Sequence, residues 1–206
     1  MESRSTLDAM SSPSHAPGGR VRILEAALAL ILRRRGADVT MAEIARAARL
    51  SRQALYLHFR DRGQLLLALV RYADERRRLG ADVKKIIDAP DAVTSLRLMV
   101  AMQARMNPGV WAVARAFDAV RRRDPAAERS WQDRLRSRLD GCRRIIARVV
   151  DEGLLRQDLH ADAAADLLWT LTSMRTWEEL VIERGWSAAE YQKRVTKLVL
   201  TALIAA

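Results

Sequence analysis

Apolar residues recur every three or four positions along most of the chain, and this spacing predicts helices rather than strands. In the first such stretch, one helical face carries Val21, Leu24, Ala27 and Ile31. The stretch ends in three arginines and Gly36, residue types that suit the negative end of a helix and the left-handed position that closes it. The pattern predicts an all-α fold of about nine helices.

Residues 40–62 predict two short helices joined by a tight turn. Thr40 and Glu43 have the spacing of a capping box at the start of the first helix. The chain turns at residues 48–50, and Ser51 is placed to cap the second helix. This arrangement is typical of a helix-turn-helix, in which the second helix enters the major groove of DNA.

The exposed face of the second helix carries side chains that can read base pairs. Arginine can hold O6 and N7 of guanine with two hydrogen bonds, and glutamine can hold N6 and N7 of adenine, so Arg52 and Gln53 are the candidate base readers. Hydroxyl groups, helix N-terminal amides and further basic side chains can hold the phosphates. We expect DNA contacts from Thr40, Arg49, Ser51, Arg52, Gln53, Tyr56, His58, Arg60 and Arg62.

Basic residues outnumber acidic residues by 36 to 25, which gives a formal net charge of +11 and an isoelectric point near 11.0. Residues 1–80 hold more than half of this surplus. Such a balance favours a polyanionic partner, with double-stranded DNA ahead of an anionic membrane surface. A composition that is merely rich in arginine is the alternative explanation.

The sequence contains no pattern that points to catalysis. The single cysteine, Cys142, excludes an internal disulfide, and the three histidines are far apart. The sequence has no glycine-rich phosphate loop and no metal-ligand spacing, so we expect neither an enzyme nor a cofactor or metal site. No apolar run reaches the roughly 18–20 residues that span a bilayer, and no signal peptide is evident, so we expect a cytoplasmic protein with no membrane partner.

The composition divides the chain into three parts. Residues 1–19 are rich in Ser, Pro and Gly, which predicts a disordered tail. Residues 20–80 are interpreted as the DNA-binding domain, in which Arg20 and Arg22 either reach phosphates as a flexible arm or take no part. Residues 81–206 are interpreted as a helical ligand-binding and dimerisation domain.

The pattern also predicts the helices that follow the helix-turn-helix. Asp61 is expected to cap a helix that runs to about Leu79 and joins the two domains. Pro108 has the residue type of a first helical position, which predicts a helix break at residues 107–109. The arginines of a long helix at residues 126–152 are expected to form a solvated face. The other predicted helices are 93–106, 108–120, 163–184 and a final helix after Ser187.

Several methionine and aromatic side chains lie on the predicted helices of residues 81–206, and both types can line a ligand pocket. For any one of these residues, a place in the ordinary core is the alternative. Taken together with the family resemblance described below, the set favours a pocket for a small, mostly apolar molecule, lined by Met99, Met102, Met106, Trp111, Phe117, Cys142, Met174 and Trp177.

Residues 20–80 resemble the DNA-binding domain of tetracycline-repressor-like (TetR/AcrR) transcriptional regulators. The matching positions are Thr40, Ile44-Ala45, Ala48, Leu50-Ser51, Leu55-Tyr56, His58-Phe59, Arg60-Asp61-Arg62 and Leu65. By this resemblance the base readers are Arg52 and Gln53, and the DNA-backbone contacts are Thr40, Ser51, Tyr56 and Arg62.

Two positions depart from the pattern of that family. Arg49 stands in the turn where the family usually has glycine, at a position that can need a positive φ, which is costly for arginine. Gly63 stands in the first turn of the following helix, where the family commonly has an acidic residue.

The resemblance further implies that the last two apolar helices pair with their copies in a second chain, as a palindromic DNA site requires. The leading hypothesis is a homodimeric repressor that a small-molecule effector releases from its operator. One alternative is a constitutive dimeric DNA-binding protein without a ligand pocket. Another is a basic helical adaptor.

Overall fold

The computed structural model of the chain describes residues 18–76, 78–122 and 124–205. The predicted tail at residues 1–19 lies outside the described residues up to position 17, and Gly19 already begins the first helix. The helices are α1 (Gly19–Arg33), α2 (Met41–Ala47), α3 (Arg52–His58), α4 (Arg62–Arg76), α5 (Leu79–Ile87), α6 (Ala92–Arg121), α7 (Pro125–Asp151), α8 (Ala161–Leu171), α9 (Met174–Trp177), which continues as a π-helix (Glu178–Glu183), and α10 (Ala188–Leu203). The predicted all-α fold with an N-terminal helix-turn-helix is confirmed.

The predicted caps of α2 and α3 are both present. The Thr40 hydroxyl accepts a hydrogen bond from the Glu43 backbone N–H, and the Glu43 carboxylate accepts one from the Thr40 backbone N–H at 2.8 Å. The Ser51 hydroxyl accepts a hydrogen bond from the Ala54 N–H at 3.1 Å. Each cap satisfies a helix-end amide that would otherwise lack a partner, so both helices begin where the sequence predicts.

The turn between α2 and α3 is closed by a residue in the left-handed conformation. Arg49 has φ 55°, as its place in the turn led us to expect. This conformation costs an ordinary residue roughly 1–2 kcal/mol. The Leu50 N–H donates to the Ala45 carbonyl at 2.9 Å, a bond that satisfies a carbonyl at the end of α2 and offsets part of that cost.

The predicted helix break at residues 107–109 is wrong, because α6 is one helix of 30 residues that contains Pro108. A proline inside a helix removes one backbone hydrogen bond and costs about 3 kcal/mol. The pyrrolidine ring of Pro108 is exposed, whereas Met106, Asn107 and Gly109 are buried around it. Since α6 packs against α1, α4, α5, α7 and α10, tertiary contacts hold the helical path across the proline.

Two further helix predictions need correction. The helix after Asp61 ends at Arg76 rather than near Leu79, and the unpredicted α5 follows it. The predicted helix 163–184 is interrupted, because the buried Thr172 hydroxyl donates to the Leu168 carbonyl at 2.6 Å, and Ser173 then caps α9. Such a local side-chain bond competes with continuation of the helix.

The long helix α7 agrees with the prediction, but its arginines do not all face solvent. Arg136 and Arg143 pair with nearby acids on the surface as expected. Arg134 instead forms an ion pair with Asp74 of α4, and the partly buried Arg138 donates hydrogen bonds to α8. Because α4, α6 and α8 pack against α7, the arginines at these contacts meet groups of other helices, while the rest of the helix stays exposed to water.

The first turn of α4 lies close to the start of α7, and this contact explains Gly63. A Cβ atom on Gly63 would lie 2.7 Å from Asp124 Oδ2 and 3.4 Å from Val120 Cγ1. A side chain at position 63 would have to displace the Asp124 carboxylate, which accounts for glycine where the resemblance suggests a larger acid.

No helix in residues 18–76, 78–122 and 124–205 is both long enough and apolar enough to cross a bilayer.

Candidate nucleic-acid interface and ligand cavity

Helix α3 is held from one side and exposed on the other. Leu55 and the following Phe59 are almost fully buried against α1 and α2, which fixes the helix on the domain. The opposite face exposes every predicted contact residue of this segment, namely Ser51, Arg52, Gln53, Tyr56 and His58. It also exposes Leu57, which the sequence reasoning missed although its position beside Tyr56 places it outside the apolar stripe. An exposed leucine there can contact a thymine methyl group.

The groups proposed to hold phosphates differ in how available they are. The Ser51 hydroxyl only accepts a bond within its cap, so its proton is free to donate to a phosphate. The Thr40 hydroxyl donates to Glu43 Oε2 at 2.8 Å, so a phosphate would compete with that carboxylate. Arg60 is well exposed, whereas Arg62 is paired with Asp38 at 2.8 Å and would have to exchange partners. The exposed side chain of Arg49 completes the set.

Arg20 does not lie on a flexible arm. It sits in the first turn of α1, where its Nη1 donates to the His58 carbonyl at 3.3 Å and its guanidinium lies 4.4 Å from the centre of the Phe59 ring. Gly19 approaches the His58 imidazole so closely that a Cβ there would lie 2.8 Å from Nε2. These contacts tie the start of α1 to the end of α3, while Arg22 remains exposed.

The Glu43 carboxylate has a strongly lowered pKa. The hydrogen bond from Arg34 is the largest cause, followed by the bonds from the Thr40 backbone and hydroxyl, and together they lower the pKa from 4.5 to about 2. All these partners favour the charged form of the carboxylate. The charge therefore helps to hold α1 against the start of α2 beneath the proposed interface.

Replacing Glu43 by glutamine should remove a pH-dependent part of the stability. In the native chain this carboxylate stabilises the fold fully above about pH 4.5, and that contribution is lost as the pH falls toward about 2, since the native pKa is the lower one. The difference in thermal midpoint between the native chain and Glu43→Gln, measured at a series of pH values, should therefore shrink across this window. A difference that stays constant between these limits would contradict the assignment.

A cavity of about 740 Å³ lies between α4, α5, α6, α7 and the start of α9. Five of the predicted ligand-contact residues line it: Met99, Met102, Met106, Phe117 and Met174. The other three, Trp111, Cys142 and Trp177, are buried but do not line it. The rings of Trp111 and Trp177 pack together with their centres 6.5 Å apart. Burial raises the pKa of the Cys142 thiol to about 11, so this thiol stays neutral near pH 7.

The sequence reasoning missed the charged part of the cavity wall. Several lining residues of α7 recur at steps of three and four, which places them on one helical face. That spacing is visible in the sequence, but it does not show that this face of α7 lines a cavity instead of facing water. The missed lining arginines are Arg71, Arg134, Arg138, Arg144 and Arg148.

One family of known proteins matches the N-terminal part of the chain. Residues 23–69 match the family described as bacterial regulatory proteins, tetR family. No curated protein matches the chain. Many solved structures share its fold, and all three described below are under 25% identical to it.

Three of these solved structures cover nearly the whole chain. A transcriptional regulator of Saccharomonospora viridis in complex with choline is 22% identical, with a TM-score of 0.78 over 93% of this chain and 100% of its own. The regulator FadR of Bacillus subtilis in complex with stearoyl-CoA is 16% identical, with a TM-score of 0.70 over 88% and 98%. AibR in complex with isovaleryl coenzyme A and operator DNA is 18% identical, with a TM-score of 0.64 over 88% and 96%.

The helix-turn-helix geometry, the match at residues 23–69 and the shared fold lead to the same assignment. Near its N-terminus the chain carries a domain that matches the tetR family of bacterial regulatory proteins over residues 23–69, and over nearly its whole length it shares the fold of these solved structures.

Proposed function

We propose that the chain is a homodimeric repressor that binds a palindromic operator and is released when a small, mostly apolar ligand fills the cavity. The observation that carries this proposal is the position of α4. This helix follows α3 after a turn of three residues, and its own side chains Leu67, Val70 and Arg71 form part of the cavity wall.

The exposed face of α3 supports the DNA-binding part of the proposal. Arg52 and Gln53 stand at the N-terminal end of this helix, the end that reaches base edges in helix-turn-helix proteins. Phosphates are proposed to be held by Ser51, Tyr56, Arg60 and, after exchange of its partner, Arg62. The net charge of +11 favours approach to DNA at long range.

Exposed apolar side chains support the proposal of a homodimer. Leu167 of α8 and Leu198 of α10 are 39% and 50% exposed, although both helices bury their other apolar faces inside the chain. Burying such side chains against a second copy is favourable. A dimer would also set two α3 helices roughly 34–36 Å apart, the spacing of successive major grooves on one face of DNA.

A ligand could act on DNA binding through the contacts between α4 and α7. Arg134 lines the cavity and pairs with Asp74 of α4, so a molecule that displaces Arg134 also disturbs the helix that carries the DNA-binding unit. In one conformation of the dimer, the distance between the two α3 helices does not match the operator. The operator is released if the ligand binds this conformation more tightly than the conformation that binds the operator. The ligands in the three related structures support a bound effector, and the cavity argues against a constitutive protein with a filled body.

Selection of bound DNA from a random pool tests the proposal. The expected product is a palindrome whose half-sites are centred about 10–10.5 base pairs, or a multiple of this, apart. Titration of the operator complex with a cavity ligand should then lower operator affinity. Enrichment of unrelated sequences would contradict the operator, and a ligand that binds tightly without changing affinity would contradict release by that ligand.

A further inference from the structure

The wall of the cavity combines apolar side chains with an unusual excess of positive charge. Its lining includes no aspartate or glutamate within the described part of the chain. It includes the five arginines named above, four of them on α7 and one on α4. Arg71 and Arg144 are exposed to water, whereas a neutral apolar molecule would leave the partly buried Arg138 without an anion, which is unfavourable for a cation.

Two of the five arginines are neutralised by carboxylates that stand outside the lining. Arg134 pairs with Asp74, and Arg148 donates to Glu152 at 2.8 Å and to the Ala89 carbonyl at 2.7 Å. The remaining three have no carboxylate within 4.0 Å among the residues that the structure describes: Arg71, Arg138 and Arg144. Their charge is therefore available to a ligand.

Arg138 is the most buried of these three. Its Nη2 donates to the Trp169 carbonyl at 2.6 Å and to the Thr172 hydroxyl at 2.7 Å, which are both neutral acceptors at the end of α8. The negative end of that helix amounts to about half an elementary charge, so it offsets the guanidinium only in part. Burial is the main cause of the lowered pKa of Arg138, which agrees with an incompletely compensated cation.

The titratable groups nearest to Arg138 supply no negative charge. Burial raises the pKa of the Cys142 thiol to about 11 and that of the Tyr191 hydroxyl to about 12, so both are neutral near pH 7. A buried cation is stabilised by an anion at close range and by hydrogen bonds to its free donors. An anion that enters the cavity could provide both.

Helix α6 brings a polar group without a hydrogen-bond partner to the cavity wall. Asn107 of α6 is 2% exposed and lines the cavity, yet its Nδ2 has no hydrogen-bond partner among the described residues. Buried amide donors are almost always satisfied, so this one points to an acceptor supplied from outside the chain. Carboxylate and phosphate oxygens are strong acceptors for both an amide and a guanidinium.

We propose that the effector is an amphipathic anion: a carboxylate or phosphate headgroup held by Arg138 and Asn107, with an aliphatic chain against the methionines of α6. This proposal rests on the ligand-binding cavity of the proposed function and narrows its chemical class. A headgroup of quaternary ammonium would meet the cation of Arg138 and no acid in the cavity wall, and an uncharged headgroup would leave the charge of Arg138 unmatched.

Four probes that share one decyl chain test the class of headgroup: decanoate, decyl phosphate, 1-decanol and decyltrimethylammonium. Isothermal titration calorimetry of the full chain without DNA, below the concentrations at which the probes form micelles, gives each affinity. We expect at least one anion to bind about tenfold or more tightly than decanol, and the ammonium to bind weakest. The better of the two anions distinguishes a carboxylate headgroup from a phosphate.

Two variants test the assigned residues. Arg138→Met keeps an unbranched side chain but removes the guanidinium, and it should weaken binding of the anion about tenfold or more while binding of decanol stays unchanged. Asn107→Leu should weaken binding of the anion by a smaller factor. This variant serves as the test if Arg138→Met does not fold. The matched control is Arg136→Met, which removes an exposed arginine of the same helix that does not line the cavity.

Three outcomes would overturn the assignment. The first is that decanol and the anions bind with equal affinity, the second is that Arg138→Met lowers the affinities for the anion and for decanol by the same factor, and the third is that no probe binds. Because the titration contains no DNA, its result is separate from repression. An anion that binds without releasing the operator would refute the proposed release and leave the class of ligand intact.

Discussion

Replacing Arg52 and Gln53 together by alanine should remove most of the preference for the operator over unrelated DNA. Each base-reading side chain contributes about 1–3 kcal/mol of discrimination, so the double variant loses about 2–6 kcal/mol if the two effects add. Both side chains are exposed, and neither has a hydrogen bond or ion pair within the described residues, so the fold should be unaffected. Competition binding between operator and scrambled DNA measures the change.

Two other variants separate reading of bases from general attraction. Arg60→Ala should weaken binding to all sequences alike and lower the salt dependence, because a phosphate contact carries no sequence information. Arg175→Ala, an exposed arginine on α9, should change neither property. If the double variant keeps its full preference, α3 does not read the operator. If the native chain shows no preference at all, a basic helical adaptor becomes the better interpretation.

Replacing Gly63 by alanine should destabilise the chain by about 1–3 kcal/mol through overpacking. The new Cβ would lie 2.7 Å from Asp124 Oδ2 and 3.2 Å from Asp61 Oδ1. Neither carboxylate can move freely, because Asp124 caps α7 through the amides of Ala126 and Ala127, and Asp61 accepts from the Gln64 amide. Urea unfolding followed by circular dichroism gives the free energy of unfolding.

Gly80 provides the matched control for this change. It also lies in a helix, but a Cβ there has no atom within 4 Å, so Gly80→Ala should leave stability unchanged or raise it by up to about 1 kcal/mol. Asp124→Ser shortens the obstructing side chain while keeping a capping hydroxyl, and it should restore part of the loss in the Gly63→Ala background. Equal stabilities of the two glycine variants would show that the close approach is absent.

The contact at Gly63 also bears on the proposed coupling. It joins the first turn of α4, directly after the DNA-binding unit, to the junction of α6 and α7, both of which line the cavity. Together with the Asp74–Arg134 pair it gives two places where a ligand-dependent shift of α7 could reach α3. A Gly63→Ala variant that still folds should therefore also show altered operator affinity.

Helix type, helix caps and the DNA-binding unit could be predicted from the sequence because they depend on neighbours within a few residues. The caps at Thr40 and Ser51 each join a side chain to an amide three positions away. The positive φ of Arg49 agrees with the family resemblance, in which glycine usually occupies this position of the turn. Helices and their caps depend on residues that are close in the sequence, so periodicity and capping rules are sufficient to predict them.

Features that depend on distant segments could not be predicted in this way. Pro108 is a strong local signal for a break, yet packing on several sides of α6 outweighs its cost. Periodicity predicts that Trp111, Cys142 and Trp177 lie on the buried faces of their helices. It does not predict that the cavity is lined by other residues. Arg134 and Arg138 look like surface residues until α4 and α8 are placed against α7.

The DNA-binding unit and the cavity therefore differ in what specifies them. The order of residues 40–62 is enough to predict two capped helices joined by a turn, since the caps and the turn depend on nearby residues, although α1 also contributes to the surface that buries one side of α3. The cavity and its uncompensated arginines arise only where α4, α5, α6 and α7 come together, because the charge and shape of an enclosed space are a property of several helices at once.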